Sequence, residues 1–375
     1  MSNVDVVEVE TKAQLKQFIT YPNRLYKGDA NYVTPLLMER KEFFDTQTNP
    51  FFRSAKTHLF LAKRNGEVVG RIATCVNYRH NEFHMEKTGF FGFFDTPDDE
   101  NISQVLLKVA MITLKKAGMD KMRGPMNFST NHECGFLVKG FDSPPMVMMT
   151  YNYPYQVTLA EKFGLKKVMD LYAYRVDSEA GIPERLQRVV DRLKKRSKVT
   201  VRPIDMGDYD KELDRVKQVY DSGWERNWGF VPMNKEEFNH MAANLKQILD
   251  PSVVLLAEYE GKPIGFSLAL PDINKALIRL NGRLFPFGLA KLLWHTKVRS
   301  KMNSVRLVIF GVVPDFQRRG IDSILFIETF NRGTAAGYKW AELSWILETN
   351  ELMRRAAVEM GGDPYKKYRV VEMPI

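Results

Sequence analysis

Residues 305–323 read VRLVIFGVVPDFQRRGIDS, and this stretch decides the fold. Its apolar first part predicts a β-strand from Val305 to Val313, ended by Pro314. The second part, Gln317–Asp322, predicts a loop that opens a helix over Ser323–Ala336. The first amides of a helix have no intrahelical partners, and the helix dipole favours an anion there. We therefore predict an anion site, suited to a pyrophosphate, at this loop.

The loop has the composition that such a site needs. Gly320 lets the backbone approach a ligand closely, and Arg318 and Arg319 supply positive charge. A strand at Trp340–Ile346 and a helix that begins at Asn350 follow it. This order resembles the acetyl-CoA-binding core of the GCN5-related N-acetyltransferase (GNAT) superfamily, whose loop motif is Q/R-x-x-G-x-G/A. The resemblance covers residues 199–375.

The resemblance implies a cofactor, acetyl-CoA or a longer acyl-CoA. Its pantetheine arm would run along Gly311, Val312 and Val313, and a strand amide near Val313 would hold the thioester carbonyl. The other expected cofactor contacts are Gln317, Arg318, Arg319, Gly320, Ile321, Asp322, Ser323 and Asn350.

The chain contains the same plan twice. A hairpin with strands at His58–Lys63 and Val68–Val76 matches one with strands at Val253–Glu258 and Ile264–Leu270. In each half a strand, a helix that ends near glycine and further strands follow. We predict an α/β fold of tandem GNAT-like mixed sheets, in two similar domains packed together. The predicted parts are a first domain over 1–180, a linker helix over 181–198 and a second domain over 199–375.

The first half lacks a comparable loop. Its matching stretch, Asp95–Asn101, has four acidic residues and neither arginine nor glycine, so it should repel a pyrophosphate. We predict a degenerate first domain that contributes to acceptor binding. Gly124–Asn127, Gly140–Pro145 and Ser344–Glu348 resemble a bacterial subgroup of tandem acetyltransferase-like proteins. Some bacterial enzymes of similar type N-acylate long-chain sphingoid bases.

Two positions depart from the superfamily pattern. Asp322 stands where Gly or Ala is usual, and it would repel a pyrophosphate unless its side chain turns away. Ala357 stands where many relatives have a tyrosine that protonates the leaving thiolate. Another donor, or water with the helix dipole, must then serve.

The candidates for proton transfer are Glu348, His132 and Glu133. Glu348 follows the strand next to the cofactor strand, and its alternative role is a carboxylate near a helix cap. The His132-Glu133 pair could shuttle a proton or could be ordinary loop polarity. Asn350 could instead cap the helix that it begins.

The candidates for acceptor binding are Trp224, Trp228, Tyr151, Asn152 and Tyr153. Each has a packing role as its alternative. The segment 284–304 resembles a basic amphipathic helix that covers a lipid-like acceptor or lies on a membrane, and a helix packed on the sheet is the alternative.

The composition limits the function classes. The 375 residues are 44% hydrophobic and 27% charged, with a net charge of +10, as expected for a folded globular protein. No signal peptide is expected, and two cysteines fit a cytoplasmic protein, with peripheral membrane association left open. We expect no metal site among the six histidines, and no nucleic-acid motif or obligate protein partner is evident.

These features predict an acyl-CoA-dependent N-acyltransferase whose acceptor is a small-molecule amine, in particular a hydrophobic or lipid amine. Two alternatives stay open. One is a non-catalytic protein of GNAT fold that binds CoA or an acyl ligand. The other is a peripheral binder of anionic membranes.

Overall fold

A computed structural model describes residues 4–224, 227–283 and 302–375. These residues form two compact units. The first unit contains residues 4–171, 276–283 and 366–375, and the second contains residues 172–224, 227–275 and 302–365.

The structure has mixed α/β composition in both units. The strands are β1 Val4–Glu8, β2 Ala55–Arg64, β3 Glu67–Asn77, β4 Thr88–Asp95, β5 Lys121–Gly124, β6 Met126–Asn127, β7 Glu133–Cys134, β8 Phe136–Lys139, β9 Lys166–Asp177, β10 Val199–Pro203, β11 Val254–Tyr259, β12 Lys262–Pro271, β13 Ser304–Val312, β14 Trp340–Leu347 and β15 Asp363–Pro374. The helices are α1 Lys12–Leu25, α2 Leu37–Phe43, α3 Tyr78–His84, α4 Glu100–Lys116, α5 Pro154–Lys162, α6 Glu184–Arg196, α7 Tyr209–Gly223, α8 Lys235–Lys246, α9 Asn274–Leu277, α10 Ile321–Ala335 and α11 Glu351–Glu359.

The sheets of the two units follow one plan. In the first unit, β1 to β4 pair antiparallel in chain order and β4 pairs parallel with β5. In the second, β10 to β13 pair antiparallel in chain order and β13 pairs parallel with β14. Helix α4 connects the parallel strands β4 and β5 in the first unit, and α10 connects β13 and β14 in the second. The predicted tandem mixed sheets are confirmed.

Corresponding hairpins of the two units have matching tight turns. Asn65 and Gly66 join β2 to β3 with φ of 54° and 82°, and Glu260 and Gly261 join β11 to β12 with φ of 49° and 78°. Two consecutive residues of positive φ are typical of the tight turn that suits the twist of a hairpin.

Helix α4 forms the core of the first unit with one face of the sheet. Leu106, Leu107 and Ala110 are fully buried, against Ile72 and Phe91. In the second unit, Ile324, Leu325 and Ile327 of α10 are buried in the same way. Each crossover helix therefore holds the strands on either side of it.

The boundaries of the two units differ from those of the predicted domains at residues 172–198 and 366–375. Val371 of β15 pairs with Gly124 of β5, so residues 366–375 belong to the first unit, although the sequence places them in a second domain over 199–375. Residues 172–198, which include α6, belong to the second unit. Strand partners are chosen by tertiary pairing, which the order of elements along the chain does not reveal.

Candidate functional site

A gap opens between β13 and β14 of the second unit. Their parallel pairing runs from Ser304 opposite Trp340 to Leu307 opposite Leu343. Both strands continue, to Val312 and Leu347, without further pairing to each other in the part of the chain that the structure describes. The register of β13 on β12 also shifts just there, with Val308 as the extra residue. A bulge bends its strand, and bulges are common beside active sites.

The gap exposes one edge of β13. The Val313 N–H donates to the Ile264 carbonyl oxygen at 2.9 Å, on the β12 side. Because bonded and non-bonded pairs alternate in an antiparallel ladder, the N–H and C=O of Val312 face the gap instead. The Gln317 Nε2 donates to the Val312 carbonyl oxygen at 2.9 Å from that side. The strand amide that faces the gap is therefore that of Val312, since the Val313 N–H is bonded within the sheet.

The loop after β13 ends in an open helix terminus. Gly320 precedes α10 with a φ of 76°, and no side chain caps the first turn. Arg318 also has a positive φ of 60°, and Arg319 lies over the Phe316 ring at 5.1 Å. Gln317, Arg318 and Arg319 are exposed. The terminus combines free amides, the helix dipole and two guanidinium groups, which fits a pyrophosphate.

The other predicted loop residues have distinct places. Ile321 is buried and anchors α10, whereas Ser323 is half-buried in its first turn. Asp322 is exposed in the same turn. Its carboxylate lies at the same helix terminus as the expected anion site.

The matching helix of the first unit is closed to anions. The Asp99 side chain caps α4 by accepting from the Ile102 N–H at 3.2 Å. Asp95 is buried, paired with Arg71 at 2.7 Å and bonded to the Tyr26 hydroxyl at 2.8 Å. Asp99 therefore occupies an N-terminal amide of α4, whereas no side chain caps the first turn of α10.

Trp224 lies against β13. A Cβ added to Gly311 would come within 2.7 Å of the Trp224 ring, which stacks on Tyr220 with 5.5 Å between ring centroids. Glycine at 311 is therefore needed for this contact. Trp228 is half-buried in the turn that follows, and residues 225–226 lie outside the described residues.

A buried charge pair sits just before the gap. Arg306 and Glu342 are opposite each other in β13 and β14, 2% and 0% exposed, with a 3.7 Å ion pair. The Ser344 hydroxyl donates to Glu342 at 2.5 Å and accepts from Arg306 Nε at 2.9 Å, and the Tyr365 hydroxyl donates to Glu342. Charged residues within two apolar strands are the signal that could have found this network.

Comparison with known proteins places the chain in a family. No family model matches it. It is 39% identical over 378 residues to the bacterial ceramide synthase of Caulobacter vibrioides, covering 99% of this chain and 97% of that protein. It is 36% identical over 369 residues to protein YghO of Escherichia coli, covering 97% and 94%.

Solved structures share its fold over its whole length. A tandem GNAT protein from the clavulanic acid biosynthesis pathway matches with a TM-score of 0.58 at 9% identity, covering 99% of this chain and 98% of the other. A GCN5-related N-acetyltransferase from Sphaerobacter thermophilus matches with a TM-score of 0.52 at 12% identity, covering 99% and 95%. These structures show that the chain has the tandem GNAT fold. The chain belongs to the same family as the bacterial ceramide synthase.

Glu348 and Asn350 lie directly after β14. The Asn350 side chain accepts from the Met353 N–H at 3.2 Å and so caps α11. Glu348 is half-buried, and its carbonyl oxygen accepts from Arg354 at 3.2 Å. Glu348 stands at the end of the strand that borders the gap, whereas Asn350 uses its amide for the cap.

His132 and Glu133 lie in the first unit. Glu133 bonds to Arg40 at 2.5 Å and to Asn127 at 2.9 Å. Burial alone would raise the pKa of Glu133, but Arg40 and Asn127 outweigh it, so the pKa lies below the usual range. The His132 ring meets Phe43 and Phe51 edge-on at 5.2 and 5.4 Å. An ion-paired carboxylate of lowered pKa is a weak proton acceptor.

The three residues of the Tyr151–Tyr153 segment have separate roles. The Tyr151 hydroxyl donates to Asp29 at 2.6 Å. Asn152 is buried and bonds both the N–H and the C=O of Leu137, at 2.7 and 3.2 Å. The Tyr153 ring packs 4.9 Å from that of Tyr26. Asn152 holds the loop, while both tyrosines belong to an aromatic cluster.

Two further predictions concern the region around the site. The amphipathic part of 284–304, through residue 301, lies outside the described residues. Ala357 is buried in α11, and its side chain has no group that could donate a proton.

No helix among the described residues is both long and apolar enough to cross a membrane.

Proposed function

We propose that this chain transfers an acyl group from acyl-CoA to the nitrogen of an amine by direct attack. The observation that carries the proposal is the alignment of two features on one strand: the open edge of β13 and the uncapped terminus of α10 that follows it. The pyrophosphate would bind Gly320 and the α10 amides, with Arg318 and Arg319 beside it. The pantetheine arm would run back along Val312 and Gly311.

The chemistry assigns one role to each group. Acyl-CoA supplies an activated acyl carbonyl. The amine nitrogen forms a bond to that carbon, the carbon–sulfur bond breaks, the thiolate leaves and the nitrogen loses a proton. The Val312 N–H is the donor for the carbonyl oxygen. Glu348 is the proposed proton acceptor, because Glu133 is held in an ion pair.

The proposed acceptor is a long-chain lipid amine. Support comes from the relative named bacterial ceramide synthase, which aligns over 99% of this chain. Trp224 provides aromatic surface beside β13, on which an apolar acceptor can pack, and Trp228 is half-buried in the turn that follows Trp224 in the chain. The protein would meet such an acceptor at the cytoplasmic surface of a membrane, attracted in part by its net charge of +10.

The test is release of free thiol from acyl-CoA by the purified protein, with sphinganine, spermidine and a lysine peptide as alternative acceptors. We expect turnover with sphinganine and a mass increase of one acyl group on its amine. Glu348→Gln should lower kcat by 10²–10⁴-fold, on the order expected for loss of a general base. The exposed Glu351→Gln in α11 is the matched control and should keep activity. No thiol release with any acceptor would overturn the proposal.

One observation favours a second candidate, a non-catalytic acyl-CoA sensor. The buried Ala357 removes the hydroxyl that many relatives use at this position. Such a protein would bind CoA tightly and acylate none of the three acceptors, and the Glu348→Gln variant would behave like the native chain.

A further inference from the structure

Helix α6 packs along α10 in the second unit. Val190 of α6 is fully buried in one cluster with Ile324 and Ile327 of α10, and Leu193 packs against this cluster. A Cβ added to Gly320 would come within 2.5 Å of Leu193 Cδ1. The last turn of α6 therefore lies beside the uncapped terminus of α10, where the pyrophosphate of CoA is proposed to bind.

The end of α6 is strongly basic. Its cations, with one that follows the helix, are Arg192, Lys194, Lys195, Arg196 and Lys198. Lys194 donates to Glu328 of α10 at 2.8 Å, and Lys198 donates to Glu260 at 2.8 Å. Arg192, Lys195 and Arg196 are exposed, and their side chains have no hydrogen bond or ion pair within the described part of the chain. These cations are therefore available to a ligand.

Arg192 and Arg196 flank Leu193 on the surface of α6. Arg192 directly precedes Leu193, and Arg196 follows it by three residues. Residues three and four apart are neighbours on a helix surface, and three residues span roughly 4.5 Å of its axis. Because the Leu193 side chain meets the backbone at Gly320, both long arginine side chains can reach a group bound at the α10 terminus.

The charge of CoA exceeds what the loop after β13 supplies. The diphosphate carries about two negative charges, and the separate 3′-phosphate on the same ribose carries about 1.5–2 more. The loop offers Arg318 and Arg319, and the exposed Asp322 in the first turn of α10 offsets part of their charge. The loop alone therefore leaves most of the ligand's charge unbalanced, and the end of α6 carries the cations that can balance it.

We propose that Arg192 and Arg196 of α6 bind the 3′-phosphate of CoA. The inference rests on the proposed function and adds a second anion subsite to it, on a helix that precedes the repeated plan of strands. Guanidinium groups bind phosphate oxygens through paired N–H donors and stay charged at any physiological pH. Basic residues in a last turn also stabilise their own helix through its dipole, so the test must separate the two roles.

The experiment compares the affinities of CoA and 3′-dephospho-CoA for the full chain by calorimetric titration at low salt. The two ligands share the diphosphate and the pantetheine arm, so the ratio of their affinities reports the 3′-phosphate alone. We expect CoA to bind on the order of tenfold more tightly, as two exposed charge pairs to one phosphate would give. The ratio should fall at high salt, because exposed charges are screened.

Arg192→Gln combined with Arg196→Gln should lower this ratio to less than about threefold, while the affinity for 3′-dephospho-CoA changes by less than about twofold. A loss of helix stability would weaken both ligands alike and leave the ratio unchanged. The matched control combines Arg185→Gln with Lys339→Gln, which removes the same charge at exposed positions. Arg185 lies roughly 12 Å from Leu193 along α6, and Lys339 follows the far end of α10, so the control should keep the native ratio.

Equal affinities for the two ligands in the native chain would overturn this inference alone, and so would a ratio that the Arg192 and Arg196 substitutions leave unchanged. A ratio lost equally in the control would also overturn it, since it would show a general field of positive charge in place of a site. No binding of either ligand would instead contradict the cofactor site of the proposed function, and this inference would fail with it.

Discussion

At the scale of the residue, Gly320 meets two requirements that no other residue meets. Its φ of 76° lies in the left-handed region, which costs other residues about 1–2 kcal/mol. A Cβ at this position would also come within 2.5 Å of Leu193 Cδ1 in α6. The motif glycine is thus needed for backbone geometry and for close packing, besides its expected approach to a phosphate.

Gly320→Ala should therefore weaken CoA binding several-fold, because alanine strains the left-handed backbone of the loop itself and the Leu193 side chain must also shift. Gly337→Ala is the matched control: its φ is 93°, but nothing lies within 4 Å of its added Cβ. Both variants should lose about 1–2 kcal/mol of stability from the left-handed backbone alone. Calorimetric titration with CoA and urea unfolding separate the two effects. Equal loss of CoA affinity in both variants would contradict this reading of Gly320.

The Arg306–Glu342 pair concerns stability at a buried position. Glu342→Gln leaves Arg306 charged and 2% exposed beside a neutral amide, and breaking such a pair costs about 3–5 kcal/mol. The free energy of unfolding from urea melts should fall by that amount. Glu351→Gln breaks the Arg355–Glu351 pair, whose side chains are 74% and 71% exposed, and should change it by less than about 1 kcal/mol. A small loss at Glu342 would show that the pair is dispensable.

At the scale of the element, the two crossover helices differ at their first turns. Helix α4 is closed by the Asp99 cap, whereas α10 begins at Gly320 with no side-chain cap. An uncapped terminus leaves amide donors for a ligand. This contrast is the physical basis for placing one CoA site in the second unit.

Asp322 is exposed in the first turn of α10. Its charge stabilises the helix through the dipole but should repel an anion bound at the same terminus. Asp322→Asn removes a negative charge near the expected pyrophosphate, so CoA affinity should rise several-fold at low salt. The same change removes a favourable charge–dipole interaction, with a loss of about 0.3–1 kcal/mol of stability. The affinity gain should shrink at high salt, because exposed charges are screened. Unchanged or weaker binding at low salt would place the pyrophosphate elsewhere. Asp363→Asn, at an exposed position at the start of β15, serves as the control.

At the scale of the whole molecule, the last strand completes the first unit. Val371 of β15 is fully buried in the core cluster that contains Leu106 and Met122. The C-terminal residues of the chain therefore stabilise a sheet whose strands β1 to β5 lie within residues 4–124.

Val371→Asp should thus unfold the first unit, since a buried unpaired charge is among the most destabilising substitutions. Hydrogen exchange should show protection lost first in β4 and β5, which are in the first unit. Val358→Asp, at an exposed position of α11, is the control and should leave protection intact. Loss confined to the second unit would contradict the assignment of residues 366–375.

The sequence by itself determined the repeated order of elements, the strand predicted at Val305–Val313 and the loop at Gln317–Asp322. These follow from periodicity, turn residues and glycine positions, which are local properties of the chain. It also indicated the acidic, closed counterpart at Asp95–Asn101.

Only the tertiary structure decided which groups are free. It directed the Val312 N–H to the gap, committed Glu133 to Arg40, placed Trp224 on Gly311 and assigned the last strand to the first unit. Hydrogen-bond partners and strand neighbours come from residues distant in sequence, and no local pattern encodes that choice. The place of α6 beside Gly320 has the same origin, because Leu193 meets this glycine only when α6 packs on α10.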